Sequence, residues 1–319
     1  MSDPTAPCAP GSVSLRLYPH NDLPATEVVA ELCDQAELAI GAGFDGIMTS
    51  EHHGGFPGYL PNPLQMAAFV LAQCRTGWAA ASPLLLPLRP TAMVAEEVAW
   101  LSARHPGRVG LGVAAGALPL DFEVMGVALS GAVPAFKSEL PRVVDMLEGR
   151  RLGALDGDPA LRRCASHPVP VLSAAVSVAA ATRAARSGAG LLMEGMSAPS
   201  ALRRLTAAHR EAGGSRSRVL IRRVWLGDVR TDLVDRQREV YDGYAAPAAG
   251  FGDDQTVSAG DPAQVAHRLA EAAREAGADA LNLRVHLPGM SPEAVRQQIV
   301  RLGTEVLPIL RKLQAAGRG

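Results

Sequence analysis

Lysine is almost absent from this 319-residue chain: only Lys137 and Lys312 occur, and arginine carries the rest of the positive charge. With abundant Ala, Gly and Pro, this points to nucleotide bias in the genome rather than to a function. Charge of either sign is not in excess, since the formal net charge is −1. A near-neutral chain has no electrostatic footprint for nucleic acid or for an acidic membrane surface. No apolar run reaches the ~18 residues that a membrane-spanning helix needs. The four cysteines, Cys8, Cys33, Cys74 and Cys164, are far apart and form no CxxC. That excludes a disulfide or zinc framework and fits a reducing cytoplasm. No HxH, HExxH or HxxxH occurs, and the adjacent His52 and His53 would point to opposite faces of a regular strand. No metal is expected. The opening MSDPTAPCAPGS has neither the basic nor the apolar region of a secretory signal, and residues 1–12 read as a disordered tail.

What is present is a recurring unit: an Ala-rich amphipathic helix, a glycine, then a short apolar strand. It appears as ELAIGAGFDGIMT (37–49), ATRAARSGAGLLME (181–194) and AAREAGADALNLRV (272–285), with a variant ARHPGRVGLGV (103–113). Glycine past the last helical turn supplies a left-handed cap, and an unbroken apolar run reads as a strand buried on both faces, as in parallel sheets. In 26–40, Val28, Leu32, Ala36 and Ala39 share one stripe and Thr26 is placed to cap the helix. Eight strands are expected, at 13–18, 44–49, 77–82, 109–113, 169–174, 190–194, 219–225 and 280–285. Eight strands alternating with helices predict a (β/α)8 TIM barrel spanning 13–319 as one domain, with a doubly wound open sheet as the alternative. Insertions are expected after strand four (117–165) and strand seven (241–262). The second, YDGYAAPAAGFGDDQTVSAGDP, reads as a mobile lid.

In such a barrel the chemistry gathers where strands end. That places Tyr18, His20 and Asn21 after strand one, Glu51, His52 and His53 after strand two, and Ser82 and Pro83 in strand three. Ala114, Ala115 and Gly116 follow strand four, Val176 and Ser177 strand five, and Arg284 and His286 strand eight. The Glu51-His52-His53 cluster suits general acid/base work, because histidine titrates near neutral pH. GAGFDG (41–46) matches a dinucleotide-binding pattern but ends a helix and opens a strand, the reverse of the required order. GLGVAAG (110–116) permits either close packing or close approach of a planar ligand. Ser177 caps an Ala-rich helix, which permits either plain capping or a phosphate site.

Together, GFDGIMTSEHH, LLLPLRP with VAEEVAWLSARHPGRVGLGV, DFEVMGV, PVPVLSAAVS, and LNLRVHLPGM with EVLPIL make the chain resemble the bacterial luciferase-like flavin monooxygenase family over about residues 13–315. The resemblance implies a barrel holding reduced FMN, or the deazaflavin F420, at its C-terminal rim. It implies a catalytic role for His52, supported by His53 and Glu51, and phosphate binding at Val176 and Ser177. It places a cis peptide at Ser82-Pro83. Cofactor contacts extend to Ala114, Ala115 and Gly116, although Ala115 stands where many flavin-type members have a phosphate-binding arginine. Lys137, Arg222, Arg223 and Arg284 are candidates to replace that charge. Tyr18, His20, Asn21, Arg284 and His286 are the expected substrate pocket. The F420 branch more often carries an acidic or serine-rich string at GVAAG and lacks the double histidine, which favours FMN. The implied activity is a two-component monooxygenase using O2, a separate NAD(P)H:flavin reductase and a small organic substrate, assembled as a homodimer. An F420-dependent reductase or dehydrogenase and a non-catalytic partner subunit are the alternatives.

Overall fold

The computed structural model describes residues 6–244 and 255–316. The chain runs β1 (Val13–Arg16), α1 (Ala25–Ala42), β2 (Gly46–Thr49), α2 (Pro63–Gln73), β3 (Trp78–Leu85), α3 (Thr91–Arg104) and β4 (Val109–Ala114). An insertion follows, with α4 (Pro119–Val124), α5 (Ala132–Leu147) and α6 (Pro159–Arg163). Regular alternation resumes with β5 (Val171–Ala174), α7 (Val178–Arg186), β6 (Gly190–Met193), α8 (Pro199–Glu211) and β7 (Arg218–Leu226). The last part holds α9 (Thr231–Tyr244), β8 (Val257–Ala259), α10 (Pro262–Ala276), β9 (Ala280–Arg284), α11 (Pro292–Arg301) and α12 (Leu307–Ala316).

All strand pairings are parallel, and the sheet closes on itself: β1 to β7 pair in order, β7 pairs with β9, and β9 returns to β1. This is the (β/α)8 barrel, so the open-sheet alternative falls. Strand β8 is outside that ring. It pairs only with the end of β7, Val224 with Val257, and was not expected. Of the segment read as a mobile lid, residues 245–254 lie outside the described residues, and Val257–Ala259 form this short strand. Among the described residues no helix is long and apolar enough to cross a membrane.

The helices pack as their periodicity dictates. In α1, Leu32, Ala36 and Ala39 are buried, and Gly43 caps the end at φ 109°, so GAGFDG is a helix end and a strand start. Thr26 is not the cap. Pro24 holds that position, with no side-chain cap bond, because proline's fixed φ already suits the chain entering a helix. Ser177 does cap α7, its Oγ accepting from Ala180 N at 3.2 Å.

The N-terminal segment departs most from expectation. Residues 6–12 are not a disordered tail: they close the N-terminal mouth of the barrel. Gly11 N donates to Asp279 O at 2.7 Å. Cys8 is 2% exposed and packs with Met48, Trp78, Ala80, Leu172 and Val219. Burial pushes its thiol up to about 12, so it behaves as a small apolar side chain. A Pro- and Ala-rich string looks unstructured by composition, yet here it meets an apolar opening that needs a cover.

Candidate active site at the C-terminal rim

A cavity of about 680 Å³ opens at the opposite mouth. Its residues come from the ends of seven ring strands, β1 to β6 and β9, from β7 through Arg223, and from α5 and α7.

The three titratable residues after β2 separate into two jobs. Glu51 is buried in the wall, where Leu85 N donates to its Oε2 at 2.6 Å, His53 Nε2 lies 2.8 Å from its Oε1, and Arg89 pairs with it. The carboxylate therefore pins the turn after β2 to the end of β3. His53 is 5% exposed, held in this cluster, and does not line the cavity. Its backbone N–H donates to Asp121 Oδ1 at 2.7 Å. His52 lines the cavity with its Nδ1 2.8 Å from Asp121 Oδ2 and its ring between Phe56 and Tyr59. Asp121 is 1% exposed. A buried carboxylate at Nδ1 fixes the ring's orientation and leaves Nε2 to take or give a proton in the cavity. Asp121 belongs to α4 in the insertion after β4. Sequence reading missed it, although DFEVMGV was among the matching strings.

A wall of small residues forms the β4–β5 side. Ala114, Ala115, Gly116, Ala174 and Ala180 line it, and Pro83 adjoins it from β3. The glycines upstream in GLGVAAG serve packing: a β-carbon at Gly112 would lie 2.1 Å from Ser82 Oγ. Ser82 itself is fully buried and does not line the cavity; its carbonyl accepts from Arg16 Nη1 at 2.8 Å. The Ser82-Pro83 peptide is cis. Val176 and Ser177 at the start of α7 line the cavity, as does Lys137 of α5. Arg183 joins them from α7, its guanidinium 5.9 Å from the Phe136 ring centroid, its Nε buried with no partner among the described residues. Arg183 was also missed. Its signal was helical spacing, since Ala179, Ala180 and Arg183 lie on one face of the helix that Ser177 opens.

The expected substrate residues divide as well. Tyr18 and Arg284 line the cavity, with the Arg284 guanidinium 4.1 Å from the Tyr18 ring centroid. His20, Asn21 and His286 do not line it. His20 is buried between Met290 O at 3.1 Å and Gln35 Nε2 at 2.9 Å, and Asn21 accepts from Gly58 N at 2.6 Å. His286 stacks behind Tyr18. Burial, with help from His20 and Arg284, holds its pKa well below the usual histidine value, so it is neutral. Arg222 braces the turn after β6, donating to Gly195 O at 2.9 Å and Ser197 O at 3.0 Å, whereas Arg223 faces the cavity. Among the described residues no group of three or more His, Cys, Asp or Glu could hold a metal ion.

Comparison with known proteins places this geometry. A family model described as luciferase-like monooxygenase matches residues 12–249. The fold is similar to that of the monooxygenase RslO1 of Streptomyces bottropensis, with TM-score 0.75, 19% identity, and coverage of 93% of this chain and 99% of that one. It is also similar to the FMN-bound oxygenating constituent of 3,6-diketocamphane monooxygenase of Pseudomonas putida, with TM-score 0.71, 19% identity, and coverage of 95% and 99%. An F420-dependent secondary alcohol dehydrogenase carrying an F420–acetone adduct matches with TM-score 0.66, 16% identity, and coverage of 94% and 98%. At these identities the likeness is one of fold.

Proposed function

Because the chain belongs to the luciferase-like monooxygenase family, we propose that it is a flavin-dependent monooxygenase acting on a small organic substrate with reduced FMN and O2. A separate NAD(P)H:flavin reductase supplies the reduced flavin, and the protein works as a homodimer in the cytoplasm. The observation that carries this reading is the convergence of three features on one cavity. These are a small-residue wall that admits a planar ring, a cationic end at Lys137 and Arg183, and His52 held by Asp121.

The residues fit the cofactor. Ser177 and the free N–H groups at the start of α7 suit a phosphate. The buried, unpartnered Nε of Arg183 is a donor waiting for an acceptor, and it takes the place of the arginine missing at Ala115. Reduced flavin supplies the electrons for oxygen activation when bound. The chain's own part is to orient and to exclude water. Pro83 and Leu85 close the wall behind the ring site, and Tyr59 shields His52. His52 Nε2 then holds or delivers the proton that the reaction consumes, while Asp121 keeps Nδ1 occupied.

Titration of the purified chain with oxidised FMN, photoreduced FMN and reduced F420 tests the reading, with binding followed by fluorescence. Reduced FMN is expected to bind more tightly than the others. Tight binding of F420 without FMN would overturn it in favour of a deazaflavin reductase, and binding of neither would favour the non-catalytic subunit.

A further inference from the structure

Ser50 and Tyr18 put two hydroxyl groups side by side in the cavity wall. Ser50 directly follows β2, and Tyr18 comes two residues after β1. The last register pair of these neighbouring strands is Arg16 with Met48, and Leu17 N still donates to Met48 O at 3.0 Å beyond it. Tyr18 and Ser50 each stand two positions past their member of that pair. They are therefore level with each other, and the alternation of side chains along a strand turns both to the lumen. Both line the cavity, and they are 3% and 5% exposed.

The Ser50 Oγ is buried with no hydrogen-bond partner among the described residues. Its backbone is fixed, since Leu60 N donates to the Ser50 carbonyl at 3.4 Å. The Tyr18 ring is held on three sides. It packs edge-on to Tyr59 with centroids 5.1 Å apart, stacks on His286 at 5.9 Å, and lies 4.1 Å from the Arg284 guanidinium. All three contacts are made by the ring, so they orient the hydroxyl without occupying it. The carboxylates of the same wall are in a different position. Glu51 accepts from Leu85 N and pairs with Arg89, and Glu194 accepts from Met196 N and Ser197 N. A buried hydroxyl without a partner costs free energy that an alanine would avoid. A serine at a cavity edge is explained when a ligand atom completes it.

We propose that Ser50 Oγ and the Tyr18 hydroxyl donate together to one neutral carbonyl oxygen of the substrate, so that the enzyme takes carbonyl compounds. A carbonyl oxygen has two lone pairs and accepts two donors. Neither hydroxyl carries a charge, which suits a neutral oxygen rather than an ion. In the closed ring, β1 and β2 stand across from β5 and β6, and α7 follows β5. The hydroxyl pair thus faces the proposed phosphate end from the far side of the cavity, where the substrate is left room. Ser50 is two residues before His52, which lines the same cavity. This proposal rests on reading the cavity as a combined cofactor and substrate site.

The test is calorimetric titration of the FMN-loaded chain with cyclohexanone, acetophenone and propiophenone, each against the alkene in which a methylene group replaces the carbonyl oxygen. At least one ketone is expected to bind ~10-fold more tightly than its alkene, the scale of one or two hydrogen bonds. Ser50→Ala and Tyr18→Phe, both nearly isosteric, should each remove most of that preference and leave the alkene affinity as it was. In the empty chain, Ser50→Ala should melt at the same temperature or higher, because it deletes a hydroxyl that nothing satisfies. A lower melting temperature would show the hydroxyl already bonded within the fold and overturns the proposal. Equal affinity for every ketone and its alkene, or a preference that survives both substitutions, overturns it too. Weaker FMN binding in Ser50→Ala, with no ketone preference in the parent chain, would assign the hydroxyl to the cofactor and also overturns it. The functional reading fails separately. If neither FMN nor F420 binds, a ketone preference in the unloaded chain, lost in Ser50→Ala, would still support the pair.

Discussion

The two mouths of this barrel share eight strands and little else. At the N-terminal mouth the lumen is filled by Trp78, Met48, Leu172 and Cys8. At the C-terminal mouth the same strands end in Arg16, His52, Glu194 and Arg284 around a cavity. A closed, apolar end tolerates no loss of volume and carries no chemistry. An open end leaves charges beside empty space, and side chains in its wall must hold them in place. Glu51, His53, Asp121 and Arg222 do that holding. The difference teaches that burial of a titratable group is not by itself evidence of catalysis: Glu51 and His53 also brace the loop that displays His52.

The comparison breaks first at the closed mouth. Trp78→Ala should cost about 3–5 kcal/mol in a urea unfolding experiment, as deletion of a buried aromatic does, while ligand binding at the other mouth survives in the folded fraction. A cost under about 1 kcal/mol would mean that the plug is not packed.

At the open mouth the effect should appear in rate rather than stability. His52→Ala is expected to lower turnover ~100-fold, about 2.7 kcal/mol, with an unchanged melting temperature. Asp121→Ala should move turnover in the same direction, since the ring loses its anchor. Near-normal turnover in His52→Ala would remove this residue from proton handling.

Acid should sharpen the contrast by acting at both ends at once. His286 near the open mouth and His209, bonded to Ala189 O near the closed one, both have pKa values lowered chiefly by burial. Each stays neutral in the folded chain and takes up a proton on unfolding. The stability is intact above the unfolded histidine value of about 6.5 and is lost as pH falls from there towards the lower folded values. Unfolding free energies measured from pH 7.5 to 5 should stay level down to about pH 6.5 and then fall, by at most about 1.4 kcal/mol per pH unit for each such histidine while pH lies between its unfolded and folded values. A flat profile would show that these rings are charged or exposed.

The smallest effect concerns the phosphate end. Ser177→Ala should weaken flavin binding by about 1 kcal/mol, the scale of one lost hydrogen bond. Binding titration checks it, and an unchanged affinity would leave Ser177 as a helix cap alone.

The fold was largely legible because most strands are short apolar runs that follow a glycine, a pattern that local physics imposes. Strand ends were less legible. Strand β3 continues through Pro83 to Leu85, and β8 has only three residues, too few for a periodicity. Within the site, His52 and Ser177 could be placed from strand order and helix capping, and Lys137 only through the family resemblance. Asp121 could not, since it lies 69 residues from His52 in the chain and the two meet through an inserted helix.

Local patterning thus settled the eight strands of the ring, their alternation with helices and the rim at which titratable groups would gather. These follow from hydrophobic period, glycine caps and the direction of a parallel strand. Contacts between distant segments settled the rest. That Glu51 braces the end of β3 while His52 is anchored by Asp121 depends on where Leu85 N and Asp121 lie. Whether Cys8 is free or buried depends on an opening that exists only once the ring has closed. That Arg223, Arg284 and Arg16 fall side by side depends on the register of β7, β9 and β1, and register is fixed by pairing across the sheet, which no one strand contains.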